Sequence, residues 1–226
     1  VDKAVNGVDN LSPVPRQREV LQTLSLLEQH YPDAHCALLY QSPWQLLVAT
    51  ILSAQCTDVR VNQVTPLLFA RFPDVASLAQ AQPSELEALI RATGFFRNKA
   101  ANLLGCARAV TELHQGNVPQ TLQELVALPG VGRKTANVVL GNAFGVPGMV
   151  VDTHVGRVAR RLGWTEASQP EGVERELCGL LPPTKWTQTS HVLIWHGRAC
   201  CRAQTALCSS CPVSVRCPKR GIKRAR

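Results

Sequence analysis

Leu128-Pro129-Gly130-Val131-Gly132-Arg133-Lys134-Thr135 lies between two stretches of helical apolar spacing, and its reading decides the fold. Thr121 and Glu124 have the spacing of a capping box that opens a helix over 122–127, and Pro129 cannot continue that helix. Gly130 and Gly132 permit the positive φ that reverses a chain within a few residues, so a second helix is expected over 133–144. Such a hairpin presents successive backbone N–H groups at a helix N-terminus. Gly130, Val131, Gly132 and Arg133 therefore form a candidate anion nest, suited to a phosphate. A Gly-x-Gly turn alone carries little specificity, because any tight helical hairpin can use one.

Apolar spacings of three and four continue on both sides of the hairpin. They predict helices over 19–30, 44–53, 58–72, 84–92, 97–114, 153–162, 171–181 and 185–198. Ser42 and Pro43 supply a cap and first turn, Ser84 and Glu87 read as another capping box, and Pro66 is expected to break 58–72. No strand alternation and no internal repeat stands out. The fold class expected is all-α, in two helical lobes with a metal-stapled tail. Residues 1–18 are polar with two prolines and read as a loose arm. The 226 residues, 45% apolar and 18% charged, suffice for a real core and exclude disorder throughout. No apolar run reaches the roughly 18 residues of a membrane span, so a cytoplasmic protein without a membrane partner is expected. The only methionine is Met149, so Val1 is not an initiator and native targeting is left open.

The net charge of +8 is unevenly placed. Residues 197–226 hold eight Lys or Arg and no acid, which leaves 1–196 balanced at sixteen against sixteen. A second basic stretch, Arg97 to Arg161, sets eight positive residues against Glu112, Glu124 and Asp152. Two basic zones suggest a polyanionic partner, since each neutralised phosphate releases condensed counterion; for the 197–226 tail a merely solvated segment that helps solubility is an equal alternative.

Lys134 falls in the first turn of the expected second helix, beside Arg133. The positive end of the helix dipole makes this a poor place for a purely structural ammonium and a suitable one for a nucleophilic amine. Pairing with a phosphate, the commoner use of a lysine, stays open on local sequence alone. Eighteen residues on, Asp152 follows an apolar run and opens a helix, the ordinary position of an N-cap. A Gly/Pro loop at 145–148 could also return that carboxylate to the lysine as its acid/base partner.

Of nine cysteines, Cys36, Cys56, Cys106 and Cys178 are scattered through apolar segments and read as buried small hydrophobes. Cys201, Cys208, Cys211 and Cys217 follow Cys-x6-Cys-x2-Cys-x5-Cys, with one Cys-x2-Cys knuckle rather than the two of a zinc ribbon. An all-thiolate iron–sulfur cluster fits this spacing better. Cys200 leaves the register open, because spacing alone also accepts Cys200-x7-Cys208.

Taken together, Leu128–Asn137, Val151-Asp152-Thr153-His154, Leu52–Asp58, His196-Gly197-Arg198 and the cysteine spacing resemble the endonuclease III family of base-excision DNA glycosylases, over about residues 20–217. The resemblance implies a six-helix lobe over 36–146, packed against a lobe built from 19–35 and 147–226. It implies a 4Fe-4S cluster on Cys201, Cys208, Cys211 and Cys217, Lys134 as nucleophile and Asp152 as its acid/base partner. Gln55 matches the residue that fills the place of an extruded base. Phe95 stands where a leucine wedge is common, and core packing is its alternative role. The implied activity is a monomeric glycosylase and AP lyase that removes oxidised pyrimidines from damaged double-stranded DNA. Between Cys201 and Cys208 family members often carry several basic residues, whereas here only Arg202 is basic, and the tail after Cys217 is expected to compensate. An adenine or mismatch glycosylase, which usually carries Ser or Tyr in place of the lysine and, for adenine, a further domain after Arg226, is the nearest alternative. A non-catalytic DNA-binding module with zinc on the cysteines is a second.

Overall fold

The computed structural model describes residues 17–226, and these contain helices, turns and one isolated bridge, Ala206 to Ala225. In chain order the α-helices are α1 (Gln17–His30), α2 (Pro43–Leu52), α3 (Asp58–Arg71), α4 (Val75–Ala79), α5 (Pro83–Ile90) and α6 (Phe96–His114). They continue with α7 (Leu122–Ala127), α8 (Arg133–Ala143), α9 (Thr153–Arg161), α10 (Pro170–Leu180) and α11 (Trp186–Ala199). No described helix is long and apolar enough to cross a membrane. The expected arm falls mostly on 1–16, outside the described residues; Gln17 and Arg18 already belong to α1.

Local sequence accounts for most helix starts. Ser42 Oγ accepts from Gln45 N, Thr57 Oγ1 from Arg60 N and Thr121 Oγ1 from Glu124 N, each satisfying an orphan first-turn amide. Two expectations are corrected. Ser84 and Glu87 make no capping box: α5 starts at Pro83, whose fixed φ suits the first helical position, so Ser84 is already inside the helix. Pro66 does not break α3. It lies on the exposed side while Val61, Val64, Thr65 and Leu68 are buried, so packing on one face outweighs the missing N–H on the other. Helix α4, only five residues long, is too short to show a period and is fixed by a reciprocal Asp74–Ser77 box.

The helices enclose two hydrophobic cores. The first surrounds α2, whose Leu46, Leu47, Val48, Ala49 and Leu52 are all wholly buried, as expected of a helix apolar all round. The second joins Val20, Leu24 and Leu27 of α1 to Val155, Val158 and Ala159 of α9 and to Val192 and Leu193 of α11. Where the cores meet, the contacts are polar. Ser190 Oγ accepts from Val150 N at 2.9 Å, and Asn137 Nδ2 donates to Met149 O at 3.0 Å. His191 Nε2–H donates to Asn142 Oδ1 at 2.8 Å, joining α11 to α8.

Burial pushes His191 from 6.5 down to about 4, with a smaller contribution from His35. The folded protein therefore resists a proton that the unfolded chain accepts, and stability falls as pH drops from about 6.5 to about 4. At about 1.4 kcal/mol per unit, this one residue accounts for a loss on the order of 3 kcal/mol. Urea unfolding across that window is expected to show this contribution together with that of His196, which burial also lowers to about 4, and His191→Gln to reduce the slope without abolishing it. An unchanged slope in the variant would place the acid sensitivity elsewhere.

Candidate active site and metal-binding segment

Between the two cores lie two adjoining cavities, a small recess of about 80 Å³ and a cleft of about 540 Å³, the second of ligand size. Ser53, Asp58, Lys134, Asp152 and Arg198 line both. Five segments from both ends and the middle of the chain thus meet in one place.

Lys134 is exposed in the first turn of α8 and has no hydrogen-bond or ion-pair partner among the described residues. Asp152 is the N-cap of α9, its Oδ1 accepting from His154 N and Val155 N, both at 2.8 Å. Capping holds the carboxylate still and leaves its second oxygen for the cleft. Asn137, one turn beyond Lys134 and only 4% exposed, fixes the returning loop through Met149 O and also reaches Glu174 at 3.3 Å. Gly148 is needed there, because a Cβ would lie 2.9 Å from Asn137 O.

In the hairpin, Gly130 has φ +76°, and a Cβ on it would meet Asn102 Cβ at 2.7 Å. Gly132 corrects the expectation: its φ is −89°, ordinary extended backbone, and it is the α8 cap position without a side chain to satisfy the first-turn amides. Val131 is buried and its N–H bonds Leu128 O, so one amide of the expected nest is already used. Arg133 turns to Glu174, with Nε and Nη2 each 2.8 Å from a carboxylate oxygen, which raises its pKa further.

Gln55 and Phe95 share a feature that local sequence does not reveal: both adopt left-handed backbone, with φ of 52° and 47°. A bulky residue there is strained, and such strain concentrates at working sites. Phe95 is 63% exposed, so it is not packed in the core. A buried lysine ties the two loops together. Lys99 Nζ donates to Leu52 O and to Thr93 O, each at 2.8 Å, three residues before Gln55 and two before Phe95. Nothing in the spacing marks Lys99, since its partners are backbone carbonyls. Asp58 and Arg198 were visible only as members of longer motifs; their ion pair, 2.8 Å long, bridges α3 and α11 at the cleft.

Below α9 the cysteine-rich segment wraps a buried arginine. Arg161, 7% exposed, donates through Nη1 to Cys201 Sγ at 3.4 Å and Arg202 O at 2.7 Å, and through Nη2 to Ala203 O at 3.1 Å. Cys201, Cys208, Cys211 and Cys217 all line one cavity beside it, walled by Leu162, Val213 and Ile222. Cys200 and His196 line the same cavity, and His196, Cys200 and Cys211 form a group able to hold a metal. Convergent thiols, a guanidinium and the Lys219 N–H at 3.4 Å from Cys217 Sγ suit a negatively charged thiolate centre. Of the other cysteines only Cys106 is fully buried, its thiol pushed up to about 12; Cys36, Cys56 and Cys178 are half-buried at the edges of the two cores, against which they pack.

A profile of the HhH-GPD superfamily of base excision DNA repair proteins matches residues 48–183. Endonuclease III of Synechocystis sp. is 52% identical over 204 residues, 90% of this chain and 93% of that protein. This chain belongs to the endonuclease III family. Endonuclease III of Bacillus subtilis is 44% identical over 86% of this chain and 89% of its own length. A trapped endonuclease III–DNA covalent intermediate superposes with a TM-score of 0.87 at 41% identity, covering 91% of this chain and 97% of that one. A non-covalent endonuclease III–DNA complex gives the same values. The all-α fold expected from the sequence is that of endonuclease III.

Lys99→Met keeps the apolar stem and orphans two buried carbonyls. Urea unfolding is expected to show a loss of about 1–3 kcal/mol. An unshifted midpoint would mean that the Leu52 and Thr93 carbonyls find other donors.

Proposed function

We propose that this endonuclease III family member is a bifunctional DNA glycosylase and AP lyase that removes oxidised pyrimidines from duplex DNA, with Lys134 as nucleophile and Asp152 as its acid/base partner. The observation that carries the reading is the convergence of an unpaired lysine and a fixed carboxylate on one ligand-sized cleft between two cores.

The target nucleotide leaves the stack, at a cost of a few kcal/mol that is lower where damage has weakened pairing. Gln55 and Phe95, exposed on strained loops tied by Lys99, occupy and wedge the gap. The uncapped start of α8, with the backbone of Gly130, Gly132 and Arg133, receives a backbone phosphate, while Val131, its N–H bonded to Leu128 O, shapes the turn. Because Arg133 is paired with Glu174, its contribution there is mainly its backbone N–H. Lys134 Nζ attacks C1′ as the C1′–N bond breaks and the base leaves with the electron pair. The Asp152 carboxylate stabilises the positive sugar and accepts the ammonium proton, since the new C–N bond leaves nitrogen with one hydrogen too many. The nitrogen lone pair then forms C1′=N as O4′ leaves C1′ with the bonding pair and takes the proton back from Asp152, giving an open-chain Schiff base whose electron demand loosens a C2′ proton. Removal of that proton expels the 3′ phosphate by β-elimination, and water then frees Lys134.

Cys201, Cys208, Cys211 and Cys217 would hold a 4Fe-4S cluster, which would brace the segment carrying Arg202 and take no part in bond breaking. Their shared cavity and the hydrogen bond from Arg161 to Cys201 Sγ support that set. The tail lies against this segment: Ala206 N donates to Arg224 O and Arg226 N to Ala206 O. Lys219, Lys223, Arg224 and Arg226 are exposed and compensate for the sparse charge between Cys201 and Cys208, while Arg220 is engaged by Glu166. We divide the chain into a helix-hairpin-helix lobe over 36–146 and a cluster lobe from 19–35 and 147–226, a division the two cores support. The protein acts on DNA as a cytoplasmic monomer.

Borohydride is expected to trap a covalent complex on DNA carrying an abasic site or an oxidised pyrimidine. Lys134→Ala should abolish the adduct with DNA affinity largely intact; an undiminished adduct would move the nucleophile elsewhere. Asp152→Asn keeps a cap oxygen and should fold normally, with excision slowed by about a hundredfold or more. Unchanged turnover would reduce Asp152 to a cap.

A further inference from the structure

The cavity that collects the four expected cluster cysteines holds two further ligand side chains, His196 and Cys200, the latter donating through Sγ to Leu207 O at 3.3 Å, a bond it gives up as a thiolate. Cys200 is 7% exposed and His196 is 1% exposed. The ligand atoms of His196, Cys200 and Cys211 all lie within 4.8 Å of one another. His196 Nδ1 is 3.1 Å from the Tyr31 hydroxyl, which leaves Nε2 directed at Cys211 Sγ, 3.8 Å away. A metal-bound imidazole is oriented in this way, with one nitrogen fixed by an outer partner and the other given to the ion.

Spacing separates this triple from a cluster site. Tetrahedral zinc has Zn–S near 2.3 Å and Zn–N near 2.0 Å, which sets its ligand atoms roughly 3.3–3.8 Å apart. The triple needs only a slight closure to reach that. A cubane of iron and sulfide is far larger than one ion, so its thiolates must stand further apart than these atoms do.

We propose that His196, Cys200 and Cys211 form a second, mononuclear soft-metal site that takes one Zn²⁺ when the four-cysteine set is not loaded. Two thiolates and an imidazole select zinc over hard cations such as Mg²⁺ or Ca²⁺. The fourth position opens on the shared cavity, to water or a remaining thiol. The two occupancies exclude each other, because both use Cys211. Cys200, one residue before the first expected cluster ligand, is then the residue that lets this chain hold the wrong metal in the right place. Only the competitor in this proposal depends on the cluster reading; the triple itself does not.

The test compares full-length protein from cells grown in iron-restricted, zinc-supplemented medium with protein from iron-replete medium. Zinc per chain and the zinc-edge X-ray absorption spectrum are measured on wild type. About one zinc in a mixed sulfur and nitrogen shell is expected; no zinc, or an all-sulfur shell, overturns the proposal without any variant. Under chelator competition Cys200→Ser should hold zinc at least about tenfold more weakly, the smallest loss expected at or beside a metal ligand. Cys217→Ser should hold it normally. The reverse pattern places the ion on the cluster's own cysteines and overturns the proposal. In iron-replete medium Cys200→Ser should keep the brown cluster absorbance and Cys217→Ser should lose it. Wild type colourless there would defeat the cluster reading alone, while cluster loss in Cys200→Ser with retention in Cys201→Ser would defeat the separate role of Cys200.

Discussion

One buried amide sets the geometry of the site. Asn137 sits on α8 a turn beyond Lys134, and its Nδ2 holds the backbone of Met149, three residues before Asp152. With Val150 N bonded to Ser190 Oγ and the Gly148 carbonyl to Thr187 Oγ1, that hydrogen bond fixes the path of the chain from the first core into the second. A buried side-chain amide left unpaired would itself cost about 1–3 kcal/mol, so the clamp is maintained by the penalty of breaking it as much as by its own strength. Gly148 completes it, since any side chain there would collide with Asn137. Other bridges between the cores, among them Arg133 to Glu174, His191 to Asn142 and Arg198 to Asp58, are likewise polar, and His191, Asp58 and Arg198 line the cavities beside Lys134. Polar seams fix register where two apolar faces would merely adhere.

The rim of the cleft is built on a different principle. Gln55 and Phe95 each sit in backbone that their side chains disfavour, and Lys99 holds both loops from beneath by their carbonyl oxygens. Burying an ammonium is costly, and burial does lower the Lys99 pKa. Two short hydrogen bonds offset that cost while locking one loop to the other. The cysteine-rich segment depends on a buried cation in the same way, with Arg161 on α9 gathering carbonyls from Cys201 to Ala203.

Much of this was legible in the residues. Helices with a long apolar period appear within a residue or two of their expected ends, as α1, α6 and α11 illustrate. The hairpin was legible because Pro129 and Gly130 have few other uses so close together. Helix α4 was not, because five residues hold little more than one turn. Lys99 and Arg161 leave no mark in the sequence for a common reason: their partners are main-chain oxygens, which carry no side-chain identity for a motif to record. Gly132 misled because glycine at a cap position and glycine at positive φ look alike in sequence. The ambiguity between Cys200 and Cys201 reflects chemistry rather than poor spacing, since both thiols do reach the same cavity.

Asp152 serves a helix and a cleft at once, with one oxygen given to two amides of α9. A distant homologue that had lost all power to break a glycosidic bond would still be selected to retain an aspartate there, for folding alone. Lys134 is under no such second obligation, having no partner of its own among the described residues. Under the roles proposed above, the lysine is therefore the informative letter when divergent sequences are sorted into active and degenerate members, and the aspartate can survive as a relic.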